Sequence, residues 1–195
     1  MAPEARRRIG DADTLRALAG PVRQRLLTHL MTFGPQTATQ CASVVEATPS
    51  NCSYHLRELA RYGLVERVEA SAGDARERLW RATVTGLIYD PPADADADPV
   101  VALARREVAH VRIDNDAALA HAAVDRHEEL PPHWRDAETM AGYGLRVTAA
   151  ELAELTAAID ALLRPYIAPT REDAPEDARV VHLGLTALRT PEPPT

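Results

Sequence analysis

The chain has 195 residues, 46 % of them hydrophobic, and a formal net charge of −7. That length holds one core, or one core with a smaller appended subdomain, and no apolar stretch approaches the ~20 residues that would span a bilayer. The acidity is one-sided: residues 1–90 carry 12 Arg against 10 Asp and Glu, residues 91–195 carry 10 Arg against 19, and no lysine occurs, so a phosphate-binding face in the first half is not excluded.

Residues 1–10 are rich in Arg and read as a flexible start. Leu15, Leu18 and Ala19 then recur at helical spacing up to Gly20-Pro21. In "PVRQRLLTHLMTFG" the stripe Val22, Leu26, Leu27 and Leu30 predicts a second helix, ended by Gly34-Pro35. A third helix, "TATQCASVVEA", is expected to bury Cys41, Val44 and Val45, with a turn at Glu46 and Ala47. Thr48-Pro49 then offers a cap followed by proline at the first helical position.

The fourth helix places Cys52, Leu56 and Leu59 at i, i+4 and i+7, one buried stripe. The remaining surface near its start is polar: Thr48, Ser50, Asn51, Ser53, Tyr54 and Arg57. Gly63 ends it, "LVERVEA" reads as a strand, "SAGDAR" as a turn and "ERLWRAT" as the returning strand. Two helices, a tight turn and a β-hairpin over residues 11–90 make a winged helix-turn-helix. Periodicity alone leaves two readings of the polar front end, a solvated face or a helix laid in the major groove.

"PVRQRLLTHL" is similar to the arsenic-repressor (ArsR) family pattern P-x-R-x-x-[IL]-L-x-x-L, matched at Pro21, Arg23, Leu26, Leu27 and Leu30. "SNCSYHLRELARYGLV" resembles that family's S-x-x-S-x-H-L-x-x-L-x-x-x-G-L-V, matched at Ser50, Ser53, His55, Leu56, Leu59, Gly63, Leu64 and Val65. The resemblance covers roughly residues 12–85. It implies a dimeric winged-helix transcription regulator of the repressor kind, released by an effector. It carries DNA contact onto Ser50, Ser53, His55 and the wing arginines Arg76 and Arg78.

Two family metal patterns are incomplete. Thr37 and Thr39 stand where a C-x-C pair binds soft metal in many members, and hydroxyls do not replace thiolates there. His110 and His121 keep the spacing of a second pattern, but its companion positions are Val108 and Val124. Cys41 and Cys52 read as small core residues, Cys41 with a raised pKa and low reactivity. Neither a metal nor another cofactor is expected.

"YDPPADADADPV" has two prolines and no apolar face, and residues 91–98 read as a linker ending on the cap Asp98 and Pro99. Residues 99–130 predict a long Ala-rich helix whose Val101, Val108, Val111, Ala118 and Ala122 fall near a 3.5 spacing. Such a stripe is buried either on its own domain or, as expected here, against a second copy. Residues 131–189 read as strand, helix and strand: "GLRVT", a helix begun by the Thr148–Glu151 capping box, and "RVVHLGLTAL". A role in effector binding or dimerisation is open to this small α/β appendage, where Trp134, Tyr143, Tyr166 and His182 line a pocket or form a core. Residues 190–195 read as a disordered tail.

The fold class expected is thus mainly α with small β: a winged helix-turn-helix, a long dimerisation helix and a C-terminal α/β appendage. The function expected is sequence-specific binding of double-stranded DNA by a cytoplasmic homodimer under a small-molecule or protein effector. The alternative is a winged-helix module that meets proteins. No P-loop, G-x-S-x-G or H-E-x-x-H occurs, and no enzymatic activity is expected.

Overall fold

The computed structural model describes residues 6–69, 78–89 and 98–189. The chain is mainly helical with a small sheet, and it opens on β1 (Arg7–Arg8), α1 (Ala12–Leu18) and α2 (Pro21–Phe33). Asp11 caps α1 by accepting from the Thr14 backbone N–H at 2.8 Å, and Pro21 occupies the first turn of α2. Gly34, at φ 75°, ends α2 in a conformation that L side chains rarely adopt. After β2 (Gln36–Thr37) come α3 (Ala38–Val45) and α4 (Pro49–Arg61), separated by Glu46 in the left-handed region.

The wing is β3 (Val65–Glu69) against β4 (Arg78–Ala82), antiparallel with Val65 opposite Ala82 and Arg67 opposite Trp80. Its turn, with Arg76, lies outside the described residues. β4 also pairs with β2, Gln36 facing Trp80 and Thr37 facing Leu79. The wing is thereby fastened to the start of α3.

The core collects the stripes predicted from periodicity. Leu15 and Leu18 of α1, Leu26, Leu27 and Leu30 of α2, Cys41 and Val45 of α3, and Cys52, Leu56 and Leu59 of α4 are all buried. Val44, expected inside, is 44 % exposed, and Ala42 takes its place. Eight helical residues present a narrow inner face, and Cys41, Ala42 and Val45 fill it.

Residues 6–10 are not loose. β1 pairs in parallel with β5 (Leu87–Ile88), Ile9 is buried, and the Arg7 guanidinium donates to the Tyr62 and Gly63 carbonyls at 3.0 and 3.3 Å. Residues 1–5, most of the expected linker and the expected tail fall outside the described residues.

α5 (Pro99–Arg126) begins where expected, with the Asp98 carboxylate accepting from the Val100 N–H at 2.8 Å, and a 3₁₀ turn continues it through Glu129. Its expected stripe is divided. Val101 and Val108, assigned to a partner-facing seam, are buried with Ala104 against α1 and α2 of the same chain. The first three turns of α5 close the winged-helix core by packing on α1 and α2. Beyond Val108 no described residue is buried.

After the short α6 (Pro132–Arg135) comes α7 (Ala149–Leu163), which carries the expected Thr148–Glu151 capping box. The flanking "GLRVT" and "RVVHLGLTAL", expected as strands, form none. A strand is defined by its ladder, and neither run finds a neighbour in the single chain. Tyr143 and Tyr166 are 83 % and 65 % exposed, so these aromatics do not form a core.

Candidate nucleic-acid interface

α4 is built to expose its start. Thr48 accepts from the Asn51 backbone N–H at 3.2 Å, and Pro49 fits the first turn without wasting a donor. With Cys52, Leu56 and Leu59 fixed inward, helical geometry turns Ser50, Asn51, Tyr54 and Arg57 outward, and all four are exposed. Ser53 is half-buried. Arg57 folds back to donate from Nε to the Ser53 carbonyl at 3.1 Å and stays exposed.

His55 has a different setting. Its ring is half-buried, lies edge-on to Tyr54 at 5.2 Å, and its Nδ1 is buried with no hydrogen-bond partner among the described residues. Burial lowers its pKa, the nearby Arg23 lowers it further, and Glu58 opposes them. The neutral imidazole is therefore favoured, and the half-buried His55 is less free to reach outward than the exposed Ser50 and Asn51.

Beside α4 the start of α3 and the wing enclose a depression of about 550 Å³, lined by Thr37, Thr39, Gln40, Ser53, Arg67, Arg78 and Trp80. Arg78 opens β4 and is exposed. Arg67 lies over the Trp80 ring at 4.7 Å, which holds its guanidinium at the mouth. Thr37 caps α3 with Gln40 in a capping box. The start of α3 shares this depression with Arg67 and Arg78, which puts positive charge where an anion such as a phosphate can lie.

Arg67 and Gln40 were not singled out by motif reasoning. Only the pairing of Arg67 with Trp80 across the hairpin gives Arg67 its place, and the β2–β4 ladder brings Gln40 alongside. The signal available in sequence was the period-2 register of "LVERVEA" against "ERLWRAT".

The residues at the family's metal positions have these settings. The Thr37 hydroxyl is the α3 cap. His110 and His121 lie on one helix, eleven positions and so roughly 16 Å apart along its axis. Cys41 and Cys52 are free and buried; burial pushes the Cys41 thiol up to about 11, and Cys52 adds to the effect. Such thiols stay protonated and unreactive near neutrality.

The fold and this surface define a winged helix-turn-helix domain. Residues 18–68 match the family model described as a helix-turn-helix domain, the unit with which many regulators grip DNA. No curated protein matches the chain. A crystal structure of RV1404 from Mycobacterium tuberculosis is similar at 17 % identity over 77 % of this chain and 82 % of that one, with a TM-score of 0.31. Among the described residues no helix is long and apolar enough to cross a membrane.

Proposed function

We propose that the protein is a sequence-specific, non-catalytic DNA-binding transcriptional regulator of the ArsR type, a repressor that acts as a homodimer and responds to an effector other than a metal ion. The observation that carries this reading is the exposed polar start of α4, with Asn51 and Ser50 at its tip and Arg57, Arg67 and Arg78 around it. Short amide and hydroxyl groups at a helix start suit base edges, while guanidinium groups on the flanks suit phosphates. The helix-turn-helix match over residues 18–68 supports it, as do the two family motifs. The chain's acidity belongs to residues 91–195, outside the helix-turn-helix match.

The test is a binding titration against DNA from upstream of the protein's own gene and against random DNA, at several salt concentrations. Specific binding with a steep loss of affinity as salt rises is expected, each phosphate contact adding about one to the slope of log affinity against log salt. Salt-insensitive binding, or equal affinity for both DNAs, would instead make the polar face a protein-docking surface.

A further inference from the structure

Away from the α4 face, the C-terminal end of α2, the end of β4 and the turn Ala168–Thr170 enclose a cavity of about 470 Å³. That is the size of site that takes a small organic molecule. Leu30 and Met31 form one wall, Ala82 and Val84 a second and Pro169 a third. These walls favour an apolar body.

Two cations and one anion complete the lining. Arg81 pairs one terminal nitrogen with Glu66 across the wing hairpin, yet its Nε is buried and has no hydrogen-bond partner among the described residues. A guanidinium has five donors, and a buried donor left unpaired is costly. From the opposite side Arg171 stacks on Tyr166 at 5.1 Å and makes a 3.7 Å contact with the exposed Asp173. Glu172, the acidic residue of the lining, is exposed. Two guanidinium groups therefore stand in the lining against the single carboxylate of Glu172, and the partners of Arg81 and Arg171, Glu66 and Asp173, lie outside it.

We propose that this cavity binds a small apolar monocarboxylic acid, its carboxylate held by Arg81 and its body against Met31, Val84 and Pro169. The Arg81 side chain is partly exposed, so a ligand carboxylate can compete with Glu66 for its planar guanidinium. A phosphate dianion would lose more hydration among these walls than one guanidinium returns, so the monoanion is the better fit. Regulation follows from the position of Arg81, and this part rests on the DNA-binding reading. Arg81 lies in β4, the strand that carries Arg78 and joins the wing to the start of α3. An acid that draws Arg81 from Glu66 alters the hairpin presenting Arg78.

Calorimetric titration of the full chain with decanoate and with naphthoate, alongside neutral naphthamide, tests the site. Both acids should bind, and the amide at least tenfold more weakly than naphthoate. Arg81→Gln should weaken naphthoate at least tenfold and erase its advantage over the amide. Glu66→Gln, which frees the guanidinium, should tighten naphthoate several-fold and keeps the test decisive if Arg81→Gln fails to fold. Met31→Trp, which fills the cavity, should abolish binding of acid and amide alike. No binding, equal binding of acid and amide, or binding that survives Met31→Trp overturns the proposal. Saturating naphthoate should change affinity for the upstream DNA at least tenfold, and an unchanged affinity overturns the regulatory part. Acid binding as described in a protein that binds no DNA leaves the pocket standing and removes the DNA-binding reading; specific DNA binding without acid binding does the reverse.

Discussion

Asn51 and Arg78 represent two ways of holding DNA, and their losses should differ. Asn51 stands exposed in the first turn of α4 with an amide that matches a base edge, whereas Arg78 stands at the start of the returning wing strand. Asn51→Ala should cost about 1 to 3 kcal/mol on the preferred site and little on random DNA. Arg78→Ala and Arg57→Ala should weaken both DNAs alike and lower the salt slope by about one each. Filter binding at four salt concentrations separates the two patterns, and equal losses on both DNAs for Asn51→Ala would remove α4 as the reading element. A second residue-scale expectation concerns pH. Burial lowers the pKa of His29, and burial with Arg23 lowers that of His55, both from 6.5. A histidine lowered in this way binds fewer protons folded than unfolded, so its stabilisation is present above 6.5 and is lost as pH falls through the folded value. Thermal melting between pH 7.5 and 5 should show the melting temperature falling with acidification, less steeply in a His29→Gln, His55→Gln double variant. A melting temperature that does not move, or a variant that tracks the wild type, counts against this account.

At the scale of elements, the stripes legible in sequence were those an element makes by itself. The inward faces of α2 and α4, the capping residues Asp98, Thr48 and Thr148, and the hairpin of the wing follow from local periodicity and turn chemistry. What escaped were features that depend on distant partners. Two-residue strands such as β1, β2 and β5 have no periodicity to read, and the place of Arg67 exists only through Trp80. The α5 stripe was visible, but not which body covers it. Because Val101, Ala104 and Val108 complete the winged-helix core, Val108→Ala should lower stability by roughly 1 to 3 kcal/mol. Urea unfolding followed by far-ultraviolet circular dichroism measures this, and an unchanged midpoint would mean that α5 is not part of that core. A chain cut at Asp90 would lose these three side chains as well as any interface.

The whole molecule divides at Val108. Before it lies a closed core; after it no described residue is buried, and of the twenty exposed large hydrophobics among the described residues twelve follow Glu138. An Ala- and Leu-rich helix and two unpaired apolar runs leave many large apolar side chains uncovered in the single chain, and exposed apolar area of this extent marks an association surface. A second copy supplies a matching set by symmetry, which is the physical basis for the homodimer proposed above. The outer half of α5 offers Ile113, Leu119 and Val124, exposed at 46 %, 45 % and 56 %. Sedimentation equilibrium of the full chain should give a dimer. Leu119→Glu with Val124→Glu should shift it towards monomer while the melting of the winged-helix domain stays within about 0.5 kcal/mol of the wild type, because both side chains lie outside its core. The same variant should lose far more affinity for a palindromic site than for a single half-site, since two recognition helices roughly 34 Å apart no longer engage together. A wild-type monomer would refute the dimer, and a variant that stays dimeric would move the interface from α5 to α7 and the runs beside it.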